Sequence, residues 1–234
     1  MLDGIMKLAA NNANTQFESL EAVSNNVANF NTTGYKATRF EQYLTTDQRL
    51  KGRVRVDTSK GESMVTNREL DIAINGFGYL PVTQPDGVTA YTRDGSLMLN
   101  SQGMLVTPRG DLIGNGIKIP INYQKIQIMD NGNVMVQTAD AEGLKQVGKL
   151  SLARFANPEG LKNIGDNKLL ATDASGVAIT DNESQIRQGF LERANVDIFS
   201  QIEQILRLNA SLISNMRIIK FADTLYQESI NLRQ

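Results

Sequence analysis

The sequence predicts an α+β fold: long N- and C-terminal helices forming a coiled pair, an extended β connector, and a central antiparallel β-rich domain. Two observations carry this. At both ends, apolar residues recur in alternating steps of four and three, the seam of paired helices. Between them, Gly, Asn, Asp and Pro punctuate short β-prone runs at spacings of roughly 8–12 residues, the rhythm of an antiparallel sheet domain. The boundaries fall at 1–36, 37–60, 61–190 and 191–234.

The first helix is expected from Met1 to about Asn29. Its seam is Leu2, Met6, Ala9, Ala13, Gln16, Leu20, Val23, Val27 and Phe30. No Pro interrupts it, and at ~1.5 Å per residue it would be roughly 44 Å long. It should stop between Asn29 and Gly34, where Asn, Thr and Gly cluster. Residues 37–60 read as a connector, with Val54 and Val56 alternating against Arg53 and Arg55 as in a ribbon with one wet face.

Several runs mark the strands of the middle. Leu70 to Ile74 alternates, as do Ile117-Lys118-Ile119 and Ile126-Gln127-Ile128. Asp130-Asn131-Gly132-Asn133 reads as a hairpin turn before Val134-Met135-Val136, and Leu150-Ser151-Leu152 continues the pattern.

The last helix, from about Asn195, carries the seam Ile198, Ile202, Ile205, Asn209, Leu212, Met216, Ile219, Asp223, Tyr226 and Ile230. Phe199, Leu206 and Ile213 widen the apolar face. A polar residue in such a seam lowers stability but fixes register or partner number, a role open to Asn209. The same two patterns also fit helices that simply cover the chain's own core.

Composition narrows the chemistry. There is no Cys, His or Trp in 234 residues, so serine–histidine and Cys–His nucleophiles, ordinary zinc sites and haem held by His or Cys are excluded. With 24 Lys and Arg against 25 Asp and Glu, no whole-protein charge draws the chain to nucleic acid. No apolar run of roughly 20 residues is present to span a membrane. The N-terminus, with Asp3, Asn11, Asn12 and Asn14, does not read as a cleaved signal peptide.

Other motifs fail on their neighbours. Gly143 to Lys149 approaches a phosphate-binding loop, but Leu150 stands where Ser or Thr must reach Mg²⁺, and a strand follows. The GxG pairs at Gly76-Phe77-Gly78 and Gly114-Asn115-Gly116 lack the third Gly of a dinucleotide fingerprint. Arg49, Lys51, Arg53, Arg55 and Lys60 form a basic run without the aromatics needed for base stacking. Asp71, Asp94, Asp111 and Asp130 show no spacing that pairs two of them as acid and base. The residues therefore single out no catalytic group, no metal site and no cofactor site, and a carboxylate-dependent enzyme would need a deep pocket lined by two or more of these Asp residues, for which the sequence gives no support.

The Asn-rich stretch from Ser24 to Lys36 is the unusual feature, holding Asn25, Asn26, Asn29 and Asn31 before Gly34. Asn is a mediocre helix former, but its amide both donates and accepts, which suits polar contact between close neighbours. This stretch resembles the N-terminal signature of the axial proteins of the bacterial flagellum, the rod, hook and hook-associated proteins. Four further blocks resemble that family in the same order: Leu70 to Tyr79, Tyr91 to Ser96 with Asn100, Gly103, Leu105 and Val106, Val147 to Leu161, and Gln188 to Val196. Within it the chain is most similar to the basal-body rod proteins. Only residues 37–60 separate Lys36 from Gly61, which favours a proximal rod protein or a short distal variant. Leu208 to Leu212 departs from the family's usual C-terminal stretch.

The resemblance implies a structural subunit that polymerises into a helical tube, transmits torque and conducts exported subunits. Its implied partners are copies of itself, other rod and hook proteins, and the flagellar export apparatus; its implied place is the periplasmic rod of the basal body. The assembly interface expected from seam and signature together is Leu20, Val23, Asn26, Val27, Asn29, Gly34, Tyr35, Ile198, Ile202, Ile205, Asn209, Leu212, Met216 and Ile219. A β-domain adaptor whose helices fold back on its own core is the competing reading.

Overall fold

Two long helices bracket the chain, α1 at Leu2–Ala28 and α2 at Ile198–Asn231, with strands filling the interval between them. The computed structural model describes residues 2–47, 49–114, 116–139 and 143–231. Asn115 of the second GxG pair and the last three residues of the C-terminal zone lie outside the described residues, as do the side chains of Leu2 and Ile230. The chain forms two units. One comprises residues 1–30, 37–57 and 196–234; the other comprises 31–36 and 58–195.

In the first unit, α1 packs against α2 and against an antiparallel hairpin of β1 (Thr38–Leu44) and β2 (Leu50–Val56). The register pairs Thr38 with Val56 and Leu44 with Leu50. Gly52 lets two side chains close over the hairpin: a Cβ there would lie 2.0 Å from the Phe40 ring and 2.7 Å from the Glu18 carboxylate, and both would have to shift. The expected wet and dry faces of the ribbon are only partly kept. Val54 is exposed while Arg55 is half-buried, because Arg55 folds back 2.8 Å onto Glu41 across the hairpin. Asp197 stands in front of α2, and its carboxylate accepts the Phe199 N–H and the Ser200 hydroxyl. The first of these occupies a backbone donor that a helix N-terminus otherwise leaves open, and the Ser200 bond leads in holding the Asp197 carboxyl below its ordinary value.

The second unit is antiparallel throughout its described strand pairs. A seven-stranded sheet runs in the order Lys162–Gly165, Lys168–Leu170, Thr89–Thr92, Leu80–Thr83, Leu112–Ile113, Leu105–Val106, Met98–Leu99. A three-stranded sheet joins Tyr123–Ile128, Asn133–Thr138 and Lys145–Lys149. The Asp130 to Asn133 turn closes its first hairpin, with Gly132 at φ 86° and Ile128 opposite Val134. Ile74, Leu80, Val82, Leu105, Ile113, Ile126, Val134 and Ile186 meet in one core. Tyr79, Tyr91 and Phe155 form a second cluster, with the Tyr91 and Phe155 rings edge to face at 4.8 Å.

Two strand expectations need correction. Ile117 and Ile119 are buried around exposed Lys118, but that segment makes only a bridge to Met104. The run from Asp71 to Ile74 is buried on both faces rather than alternating, because Ile72–Asn75 pairs with Gln185–Gln188 inside the core.

Candidate assembly interface

The face that α1 turns toward α2 is more polar than its apolar periodicity predicts. Gln16, Ser19 and Asn26 are buried on α1 alongside Ala9 and Val23, and Asn215 is buried on α2 beside Leu212 and Ala222. Their amides find one another. Asn12 Nδ2 donates to Asn215 Oδ1 at 3.2 Å, Asn215 Nδ2 donates to Gln16 Oε1 at 3.0 Å, and Gln16 Nε2 donates to Ser211 Oγ and to Asn12 Oδ1. Further along, Asn26 Nδ2 donates to Gln201 Oε1 at 2.9 Å.

Asn26 is the node of this unit. Its Oδ1 accepts the Thr38 N–H at 2.8 Å while its Nδ2 donates to the Thr38 carbonyl at 2.8 Å, so the side chain pairs with β1 as a strand would. At the other end of the hairpin the two roles are shared: Asn11 Oδ1 accepts the Leu50 N–H at 3.0 Å and the Thr15 hydroxyl donates to the Leu50 carbonyl at 3.4 Å. At Asn26 one amide meets both the donor and the acceptor that a strand edge offers. Leu20 and Val27 are half-buried beside this face, and Asn29 closes the helix end by donating to the Asn25 carbonyl.

The seam expected on α2 divides into two stripes one residue apart. Ile198, Ile205, Leu212 and Ile219 are buried or half-buried, interleaved with Gln201, Leu208, Asn215 and Ala222. Ile202, Asn209 and Met216 fall on an outer stripe with Phe199, Leu206 and Ile213. The five apolar members of that stripe are between 47% and 81% exposed. Asn209 interrupts this row, but so many exposed apolar side chains on one helix face form the kind of patch that interaction surfaces carry. On α1, Leu8 and Phe17 are also exposed.

In the second unit, the end of the Asn-rich stretch is fastened by a buried carboxylate. Glu192 is 1% exposed. Its Oε1 lies 2.7 Å from Lys36 Nζ and accepts the Gly61 N–H at 2.9 Å; its Oε2 lies 2.6 Å from an Arg93 guanidinium nitrogen. Arg93 Nε also donates to Glu192 Oε2 at 3.0 Å, Nη2 reaches the Ile74 carbonyl as well, and Nη1 donates to the carbonyls of Gly76 and Gly78. Burial alone would raise the Glu192 carboxyl, but Arg93 and then Lys36 outweigh it and hold the group below its ordinary value. Gly34 sits beside this hub at φ 68° and donates to the Glu192 carbonyl at 2.8 Å. A Cβ on Gly34 would fall 2.4 Å from the Arg93 backbone. Tyr35 is buried, and its carbonyl accepts the Asn195 N–H. Lys36 Nζ and Asn195 Nδ2 also donate to the Ser59 carbonyl. The three stretches of this unit that lead toward the other, 31–36, 58–61 and 192–195, are thus bonded to one another.

Lys36, Arg93 and Glu192 are not among the site residues expected from sequence. Each stands inside a motif block, but 99 residues separate Arg93 from its partner, and no local pattern pairs them.

The remaining candidates have structural occupations. Lys145–Lys149 is a strand, so the loop-like sequence before Leu150 does not lead into a helix. Arg49 and Arg55 of the basic run pair with Asp47 and Glu41. Asp94 accepts from Thr33 and Ser96, and Asp111 pairs with Lys168 at 3.2 Å. Asp71 is buried, its carboxylate 3.7 Å from Arg68 and without a hydrogen-bond partner among the described residues. No helix among the described residues is long and apolar enough to cross a membrane.

Comparison with known proteins follows the same lines. A family model described as the flagellar hook protein FlgE/F/G D1 domain matches residues 73–136. The flagellar basal-body rod protein FlgG of Caulobacter vibrioides is 33% identical, over 97% of this chain and 98% of its own. FlgG of Bacillus subtilis is 32% identical over 92% and 93% of the two chains. The rod protein FlgF of Caulobacter vibrioides is 30% identical over 88% of each.

Proposed function

This chain belongs to the family of flagellar basal-body rod proteins, and from that premise we propose how it builds the rod. It is a structural protein of the basal body, not an enzyme. In our reading α1 and α2 form a coiled pair that lines the inner tube, and the outer stripe of α2 seats against helices of neighbouring subunits. The contacts are heterologous and repeat head to tail without closing, which gives a helical tube rather than a ring. The β-rich unit adds outer contacts, and the hairpin at 38–56 tunes stiffness between neighbours. The finished tube would carry torque from motor to hook and let exported subunits pass.

The observation that carries this reading is the outer stripe: Phe199, Ile202, Leu206, Ile213 and Met216 repeat at helical spacing and are exposed. Fully covering such side chains yields roughly 1.5–3 kcal/mol each, so a few contacts per subunit drive assembly. An adaptor whose helices cover its own core would have no use for that row.

The partners in this reading are copies of the chain, other rod and hook proteins, and the flagellar export apparatus that delivers it unprocessed to the periplasm. The short segment between Lys36 and Gly61 favours a proximal rod protein or a short distal variant in this reading. The test is to replace the chromosomal gene with a tagged copy and purify hook–basal bodies. Recovery of the tag in the rod, with truncated basal bodies and no swimming in the deletion strain, is expected. A tag found only as free monomer, with a motile deletion strain, would reject it.

A further inference from the structure

The bonds between α1 and α2 keep one register along the whole contact. Moving four residues forward on α1, from Asn12 to Gln16, matches four backward on α2, from Asn215 to Ser211. Ten more forward, to Asn26, match ten backward, to Gln201. We propose that this amide ladder is a register lock, which fixes both the axial position of α1 on α2 and which face of α2 it takes.

The apolar members of the contact lack this power. Ala9, Val23, Ile205 and Leu212 gain from burial in any register that keeps them out of water, because hydrophobic contact is non-directional. A slip of seven residues, one heptad, keeps the apolar row facing its partner. It fails at the amides. Such a slip puts Leu208 or Ala222 opposite Asn12, and Gln204 or Ile218 opposite Gln16. Asn12, Gln16 and Asn215 now donate and accept around a closed circuit, and either slip opens it: one leaves Asn12 against Leu208 although Gln16 meets Gln204, and the other leaves both Asn12 and Gln16 against apolar side chains. The outer stripe poses the same problem. At the level of Asn215 it offers Met216 and Ile213, which cannot answer Gln16. The ladder therefore keeps α1 off the outer stripe and leaves that row open. One buried polar residue can fix register and partner number in paired helices; here the device is distributed over five amides and a hydroxyl.

The inference concerns pairing inside one chain, so it stands or falls separately from the rod reading. The chain has no Cys, and nitroxide labels can be placed at Ala10→Cys and Glu203→Cys, both exposed and off the ladder. Pulsed electron–electron distance measurement on the full chain should give one narrow distance. In the Asn12→Leu/Gln16→Leu/Asn215→Leu background, a second population should appear, displaced by an axial slip of about 10 Å, with helix content unchanged by circular dichroism. Gln16→Met alone serves the same reading if the triple variant loses its helices. A broad distance in the parent, or a single unchanged distance in the variants, overturns the proposal.

Discussion

The Lys36 ammonium lies 2.7 Å from Glu192 Oε1, joining positions 156 residues apart in the chain. With Arg93 on the second carboxylate oxygen, the pair ties the end of the Asn-rich stretch to the last strand of the β-rich unit. A buried carboxylate held by two cations and a backbone N–H is satisfied; the same cations without it are not.

Glu192→Gln should therefore cost about 3–5 kcal/mol of unfolding free energy, because Arg93 and Lys36 would stay buried and uncompensated. Denaturant titration measures it. The pH dependence follows from the depressed Glu192 pKa. Its contribution is complete above the ordinary carboxyl value of 4.5 and fades as the pH falls through the lower folded value. The acid loss of stability should be shallower in Glu192→Gln. Parallel curves for the two proteins would show that the hub does not govern the acid limb.

Gly34→Ala should destabilise more than Gly87→Ala. Both residues have positive φ, 68° and 84°, so each substitution meets a backbone cost of roughly 1–2 kcal/mol. Only Gly34 has backbone atoms within 2.4–2.5 Å of the new Cβ; Gly87 has nothing within 4 Å. Equal shifts in Tm for the two variants would contradict the close packing of Gly34 on Arg93.

The two stripes of α2 should separate in the isolated chain. Leu206→Asp, on the outer row, should leave unfolding free energy within about 0.5 kcal/mol of the parent. Leu212→Asp, on the inner row, places a charge in a buried helix contact and should cost about 2 kcal/mol or more. Equal effects in denaturant titration would mean that the inner and outer rows are not distinct.

The sequence made the two long helices legible because their apolar spacing is strong and unbroken by Pro. It did not make the inner and outer stripes legible. Ile198 and Phe199, Ile205 and Leu206, and Leu212 and Ile213 are adjacent apolar pairs, so one wide face and two narrow ones look alike until a partner helix covers one of them. Periodicity of apolar residues also misses the contact that α1 makes with Gln16, Asn26 and Asn215, since their amides are buried only because they answer each other. Asn209, the polar residue the seam singles out, is exposed instead. In the β-rich unit the Asp130 to Asn133 hairpin is written locally in its turn residues, whereas the Lys36–Glu192–Arg93 hub depends on topology that no short window contains.

The most direct test of the assembly reading is the Ile202→Asp/Leu206→Asp/Met216→Asp variant, tagged and expressed in place of the parent, with its abundance measured in purified basal bodies. The account predicts a folded chain that is absent from the basal body, in cells that do not swim. Normal incorporation and normal swimming would contradict the claim that the outer stripe of α2 holds the rod together.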